Sequence, residues 1–264
     1  VSALRGKRVV VTRAEGQADG LCRLLAERGS AVIRCPTIRV EPPPSLEDLD
    51  RALGRLDEYR WIVFTSSNGV RAVAARLEAL GRGGETLDPA RVAAVGTSTA
   101  HALEALGLTP AFVPEVERSR SLADELEPVV GERVLLTRAD IADPGLAERL
   151  EARGAGRVDD VVAYRTELLP PAGEALRELR LGVQGITFTS PSTLRGFIAI
   201  GPEWRSLLQG VIVATLGPAT SEVAAREGLE VDVEASERSM KGLVEALERA
   251  FAARTGRHDE ETVE

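Results

Sequence analysis

Two stretches carry the residues best suited to chemistry, Trp61-Ile62-Val63-Phe64-Thr65-Ser66-Ser67-Asn68-Gly69-Val70 and Ile186-Thr187-Phe188-Thr189-Ser190-Pro191-Ser192-Thr193-Leu194. In each, a short apolar run of strand character enters a hydroxyl-rich turn, and a helical pattern follows. The first turn of a helix leaves backbone N–H groups without partners, which makes such a turn a seat for an anion. Four more strand-to-helix turns are of the same type: Thr12-Arg13, Gly96-Thr97-Ser98, Thr137-Arg138 and Gly217-Pro218-Ala219-Thr220. In an open parallel sheet all of them fall at the carboxyl ends of strands, where ligands bind. Their hydroxyls and N–H groups suit carboxylates or phosphates. For any single Ser or Thr the plainer account is a helix cap worth about 1 kcal/mol. For the set as a whole, with two copies in matched positions, the expectation is a pair of half-sites facing one ligand between two lobes.

Other chemistries find little support. Histidine occurs only at His101 and His258, which removes Ser-His-Asp and Cys-His mechanisms and a His-rich zinc site unless His101 acts alone. His101 sits in a helical run, where a surface position is expected, and His258 lies in a polar stretch expected to be unordered from about Thr255. Cys22 and Cys35 have no metal or redox spacing and read as inert thiols. Gly6-Lys7 precedes a strand where a P-loop must follow one, and Gly81-Arg82-Gly83-Gly84 has no strand before it, so neither nucleotide fingerprint applies. There is no GxSxG elbow. Tyr164 is one of only two tyrosines; a phenol can serve as a general acid, and packing within a linker is the alternative.

Composition bounds the class. With 264 residues, 44% hydrophobic and 28% charged, the chain reads as a soluble globular protein of about two domains. Its formal net charge of -8 argues against a nucleic-acid partner, although a local cleft can still be positive. No apolar run is long enough to span a bilayer, and Val1-Ser2-Ala3-Leu4-Arg5-Gly6-Lys7 lacks the apolar core of a secretory signal. A cytoplasmic protein is expected. Nothing suggests an extended interface, so a monomer is expected.

The elements that position the turns alternate between strand and helix. Arg8–Arg13 reads as a strand, Ala18, Leu21, Cys22 and Leu25 follow helical spacing, Gly29 stops that helix in a left-handed cap, and Ala31–Ile33 is the next strand. Further helices are expected over about 46–56 and 121–129, and further strands at Arg91–Val95 and Ala111–Pro114. Such alternation predicts parallel sheets flanked by helices.

The chain also repeats itself. Thr12 and Thr137 are 125 positions apart, Thr65 and Thr189 are 124, and Gly96 and Gly217 are 121. The helix stops match too, Gly29 with Gly154 and Gly107 with Gly228. Two related α/β halves of about 120 residues follow. Pro36–Pro44 and Val161–Pro171 are extended, proline-ended segments able to pair as a two-stranded ribbon. The expected division is 1–36 with 169–264 as a discontinuous first domain, 42–160 as a second, and 37–41 with 161–168 as the linker.

This pattern resembles the uroporphyrinogen-III synthase family. The resemblance covers about Val9 to Phe251 and rests on Val11-Thr12-Arg13, Phe64-Thr65-Ser66-Ser67-Asn68-Gly69, Val95-Gly96-Thr97-Ser98-Thr99, Phe188-Thr189-Ser190-Pro191-Ser192 and Leu216-Gly217-Pro218-Ala219-Thr220. The chain departs from the family at Ala219, where a second hydroxyl residue is often seen. The resemblance implies two α/β lobes with parallel, flavodoxin-like sheets, joined by a two-stranded antiparallel linker. It implies a cofactor-free lyase that closes the linear tetrapyrrole hydroxymethylbilane, losing water, passing a spiro intermediate and inverting the last ring. That substrate carries eight carboxylates, which suits many hydroxyl and N–H anchors. The implied catalytic residues are Tyr164, assisting departure of the hydroxyl, with Thr97 and Thr220 as secondary hydrogen-bond candidates. The implied substrate contacts are Thr12, Arg13, Thr65, Ser66, Ser67, Asn68, Gly96, Ser98, Arg138, Ser190, Pro191, Ser192, Gly217 and Pro218, with no metal. A two-lobed module that binds an anion without chemistry would share this layout. A sugar-phosphate isomerase is a third possibility, but it calls for a Glu or His base that is not evident.

Overall fold

The computed structural model describes residues 2–88, 90–142 and 145–261. Contacts divide the chain into two compact units, Val1–Arg39 with Glu167–Glu264, and Val40–Thr166.

The first unit begins with β1 (Arg8–Val11), α1 (Asp19–Glu27) and β2 (Ala31–Arg34), and then β3 (Ile38–Glu41) leads out of it. The second unit holds α2 (Glu47–Leu53), β4 (Trp61–Phe64), α3 (Ser67–Ala79), β5 (Arg91–Ala94), α4 (Thr97–Glu104), α5 (Ser119–Glu125), β6 (Arg133–Ala139), α6 (Gly145–Ala152) and β7 (Arg157–Leu168). The chain then completes the first unit with α7 (Gly173–Arg180), β8 (Gly185–Phe188), α8 (Pro191–Ile198), α9 (Trp204–Leu207), β9 (Ile212–Thr215), α10 (Pro218–Arg226), β10 (Val233–Glu234) and α11 (Met240–Glu261).

In the first unit the strands lie in the order β2-β1-β8-β9-β10 and every pairing is parallel. Burial on both faces explains the continuous apolar runs. Val9 and Val11 pack into one cluster with Leu21, Leu25 and Leu247, and Val10 enters another with Phe188 and Phe197. In the second unit the order is β3-β7-β6-β4-β5, with β7, β6, β4 and β5 parallel. Here Ile62 and Phe64 face one cluster and Trp61 and Val63 the other. Strand side chains alternate between faces, so a sheet covered on both sides needs apolar residues at every position.

The duplicated stops take the backbone that only glycine adopts freely. Gly29 has φ +81° and Gly154 has φ +87°, the left-handed cap expected where a helix must end and turn into a strand.

Several sequence expectations move. The strand expected at Ala111–Pro114 shrinks to a single parallel bridge between Ala93 and Phe112, since Pro110 and Pro114 on either side supply no N–H to a ladder. The helix expected over 46–56 ends at Leu53, and a short 3-10 turn follows at Leu56–Glu58. The helix expected over 121–129 runs from Ser119 to Glu125, because Pro128 disfavours helical backbone in the residue before it. Residues 161–168, read from sequence as a connecting piece, form the second part of the twelve-residue β7. The stretch from Thr255, expected to be unordered, continues α11 to Glu261. Buried Leu243, Val244, Leu247 and Phe251 seed that helix, and propagation costs far less than nucleation. Among the described residues no helix is long and apolar enough to cross a membrane.

Candidate functional site

In the second unit the turn after β4 is built from the strand outward. Phe64 is fully buried, and Ser66 then takes extended backbone (φ -159°, ψ 155°) as the N-cap of α3. Its Oγ accepts from the Gly69 N–H at 3.1 Å, the bond expected of a capping serine. The same Oγ lies 2.8 Å from the Tyr164 hydroxyl. Tyr164 comes from β7, where it stands beside Ala139, and its carbonyl accepts from the Asp140 N–H. Only 6% of Tyr164 is exposed.

Around this pair, Asn68 also hydrogen-bonds the phenol, and Arg71 Nη2 donates to Asn68 Oδ1 at 2.6 Å and to Ser67 Oγ at 3.2 Å. Burial pushes the Tyr164 phenol up from its ordinary value of 10.0, while the bonds from Ser66 and Asn68 and the Arg71 charge pull it down and Asp140 adds to the rise. Burial wins. The phenol therefore holds its proton at neutral pH, so it can donate one and is a poor base. Thr65, Ser66, Ser67 and Asn68 are all half-buried, their polar groups set at the start of a thirteen-residue helix.

The turn after β5 differs. Gly96 is the N-cap of α4, and Thr97 and Ser98 stand in its first turn. The Thr97 hydroxyl donates to the Glu117 carboxylate. A Cβ at Gly96 would fall on that same carboxylate, so glycine here makes room for an acidic group at the helix start. Arg138, expected as an anion contact, is buried and spends its guanidinium on Asp160, with Nε 2.8 Å from Oδ1 and a second bond from Nη2 to Oδ2. Asp160 lies on β7 opposite Leu136, two residues before Arg138 on β6, so the pair is diagonal on one face of the sheet.

In the first unit, Thr12 is fully buried and its hydroxyl donates to the Thr187 carbonyl at 2.7 Å. Its repeat partner Thr137 donates to the Val63 carbonyl at 3.3 Å. Both hydroxyls tie neighbouring strands together, and the Thr12 carbonyl accepts from the Thr37 N–H at 3.1 Å, so the fully buried Thr12, expected as a ligand contact, braces the strand ends instead. Arg13 contacts Met240 Sδ at 3.0 Å and Gln17 Oε1 at 3.2 Å. Ser190 caps α8 with a closed capping box: its Oγ accepts from the Thr193 N–H, and the Thr193 hydroxyl accepts from the Ser190 N–H, each at 3.2 Å. Ser190 Oγ is also 2.9 Å from Ser192 Oγ, and Pro191 occupies the first helical position. Gly217 caps α10, Pro218 follows it, Thr220 is buried, and the Arg238 side chain lies over Gly217 with Nε 3.3 Å from where a Cβ would stand.

Residues that sequence reasoning passed over are Arg71, Asp140, Glu117 and Arg238. Two had a signal: Glu117 and Arg238 are 121 positions apart, the same offset as Gly96 and Gly217 beside them. Arg71 follows Ser67 by four residues on one helix face, a spacing at which side chains meet.

The fold and these turns define a class: an α/β protein with parallel sheets whose strands end in hydroxyl-bearing helix starts, one of them holding a buried phenol. Residues 3–245 match the family model described as uroporphyrinogen-III synthase HemD. A uroporphyrinogen-III synthase of Synechococcus elongatus is 34% identical over 258 residues, covering 93% of this chain and 96% of that protein. A porphyrin biosynthesis protein HemD of Ruminiclostridium josui is 30% identical over 248 residues, covering 92% of this chain and 48% of that longer one. A crystal structure of a mutant uroporphyrinogen III synthase from the extreme thermophile Thermus thermophilus superposes with a TM-score of 0.67 at 21% identity, over 94% of this chain and 100% of the other, and supports the fold. The chain belongs to the uroporphyrinogen-III synthase family.

Proposed function

We propose that this chain closes hydroxymethylbilane to uroporphyrinogen III, a cyclising lyase reaction of tetrapyrrole biosynthesis that needs no cofactor. The observation that carries the reading is the buried, protonated Tyr164 phenol set on the N-cap Ser66 of α3, in a chain of this family.

Each unit contributes the helix starts at the carboxyl ends of its strands as contacts for the substrate's carboxylates. Thr65, Ser66, Ser67, Asn68, Gly96 and Ser98 serve in one, and Arg13, Ser190, Pro191, Ser192, Gly217 and Pro218 in the other, where buried Thr12 braces the strand ends. Arg138 contributes through its pairing with Asp160, which fixes the strand ends beside Tyr164. Thr97 and Thr220 are secondary hydrogen-bond groups.

Tyr164 acts as the acid. The C–O bond of the hydroxymethyl group breaks, its electron pair leaves with the oxygen, and the phenol proton converts that oxygen to water. Bonds from Ser66 and Asn68 then stabilise the phenolate. Ring closure through the spiro intermediate inverts the last ring. Spontaneous closure runs without inversion, so much of the catalysis is the holding of one folded substrate shape.

The reading also takes 1–36 with 169–264 and 42–160 as the two domains, with 37–41 and 161–168 as an antiparallel two-stranded linker; the neighbouring places of β3 and β7 in one sheet support this. It places the enzyme in the cytoplasm as a monomer. The test is to give hydroxymethylbilane to the purified chain without additives and separate the isomers. Type III in excess over a protein-free control is expected. Type I alone, at the spontaneous rate, would leave an anion-binding module as the better account.

A further inference from the structure

Arg71 lies outside the hydroxyl-rich turn, and no role in the reaction falls to it from the family resemblance. It stands on α3 one helical turn after Ser67. Its Nη2 forks to Ser67 Oγ at 3.2 Å and Asn68 Oδ1 at 2.6 Å. With Oδ1 taken by a cation, Asn68 has its amide N–H group left for the phenol that it also bonds.

We propose that Arg71 is a positioning residue for Tyr164, holding Asn68 so that its amide N–H faces the phenol oxygen. The inference rests on the assignment of Tyr164 as the acid. Before the reaction the phenol oxygen is held in one hydrogen bond with Ser66 Oγ at 2.8 Å. Once the proton leaves for the departing hydroxyl, the oxygen carries a full negative charge in a buried place. At that moment an N–H donor and a nearby guanidinium are worth most, because both stabilise the ionised form more than the neutral one. The other charged group acting on the phenol is Asp140, which opposes ionisation. Arg71 offsets it.

The chain offers a clean reporter. Only Tyr59 and Tyr164 are phenols, and Tyr59, buried and bonded to Asp159 at 2.7 Å, is pushed up to about 12. In a Tyr59→Phe background the phenolate absorbance on alkaline titration therefore reports Tyr164 alone. Arg71→Gln is expected to move that titration upward by about one pH unit and to lower kcat about tenfold with KM little changed. Arg71→Lys keeps the charge but loses the planar fork, and is expected to recover part of both effects. A titration unmoved by Arg71→Gln would overturn the proposal. So would a rise in KM with kcat intact, which marks a direct contact with a substrate carboxylate. Circular dichroism and melting of each variant confirm that the fold is kept, and Arg71→Lys carries the test if Arg71→Gln unfolds. If Tyr164→Phe keeps full turnover while the titration still shifts, the acid assignment has failed and the coupling of Arg71 to the phenol has not.

Discussion

The turns after β4 and after β8 are two copies of one device, and they are wired differently. Ser190 closes its capping box with Thr193 and touches Ser192, so its side-chain bonds stay within its own helix start. Ser66 makes the equivalent cap on Gly69 but reaches outward to the Tyr164 hydroxyl. Near α8 the place of a partner from another segment is taken by Thr37, whose hydroxyl donates to the Thr193 carbonyl at 2.6 Å and the Thr12 carbonyl at 3.1 Å. One copy is closed on its own helix start, and the other is tied to a buried phenol from a different strand. The β5 and β9 turns diverge in charge as well, with Glu117 against Gly96 and Arg238 against Gly217.

The largest effect is expected at the copy that holds the phenol. With Tyr164 as the proposed acid, Tyr164→Phe should lower kcat about 100-fold, measured by initial rates. The wild-type rate should hold as pH rises through neutrality and decline only above the ordinary phenol value of 10.0, because burial raises Tyr164 and the protonated form is the working one. A limb near pH 7 would contradict this assignment.

The next effect is structural and reverses the ranking of the two copies. A Cβ at Gly196 would fall on the Thr37 carbonyl, whereas one at Gly69 would stand 3.1 Å from the Thr137 carbonyl. Gly196→Ala is expected to cost about 3 kcal/mol and Gly69→Ala about 1 kcal/mol of stability in denaturant melts. Equal losses would mean that the corner near α8 is no tighter than its counterpart.

Much of this was legible in the sequence, for identifiable reasons. Strands such as Trp61–Phe64 are apolar at every position because both faces are covered, and the glycine stops mark where helices must end. The repeat offsets matched the segments in pairs, but Thr137-Arg138, expected as a turn like Thr12-Arg13, lies within β6, whose ladder with β7 runs on to Ala139. Partnering was not legible. Thr12 and Arg138 look like free anchors in sequence, yet one is tied to Thr187 and the other to Asp160, since strand register decides which side chains meet across a sheet. Arg71 was hidden for the opposite reason, because a surface arginine on a helix is common and only its contacts set it apart. The strand at Ala111–Pro114 failed because periodicity cannot say how much of an edge segment finds a partner.

The most direct test of the difference between the two copies is a side-by-side measurement of kcat and KM for Ser66→Ala and Ser190→Ala. Each loses a helix cap worth about 1 kcal/mol, so their melting should fall alike. Ser66→Ala should lower kcat about tenfold, since the phenol loses the partner that stabilises its ionised form, and Ser190→Ala should raise KM a few-fold with kcat retained. The same kcat loss in both, or in neither, would contradict the claim that only the Ser66 copy serves the chemical step.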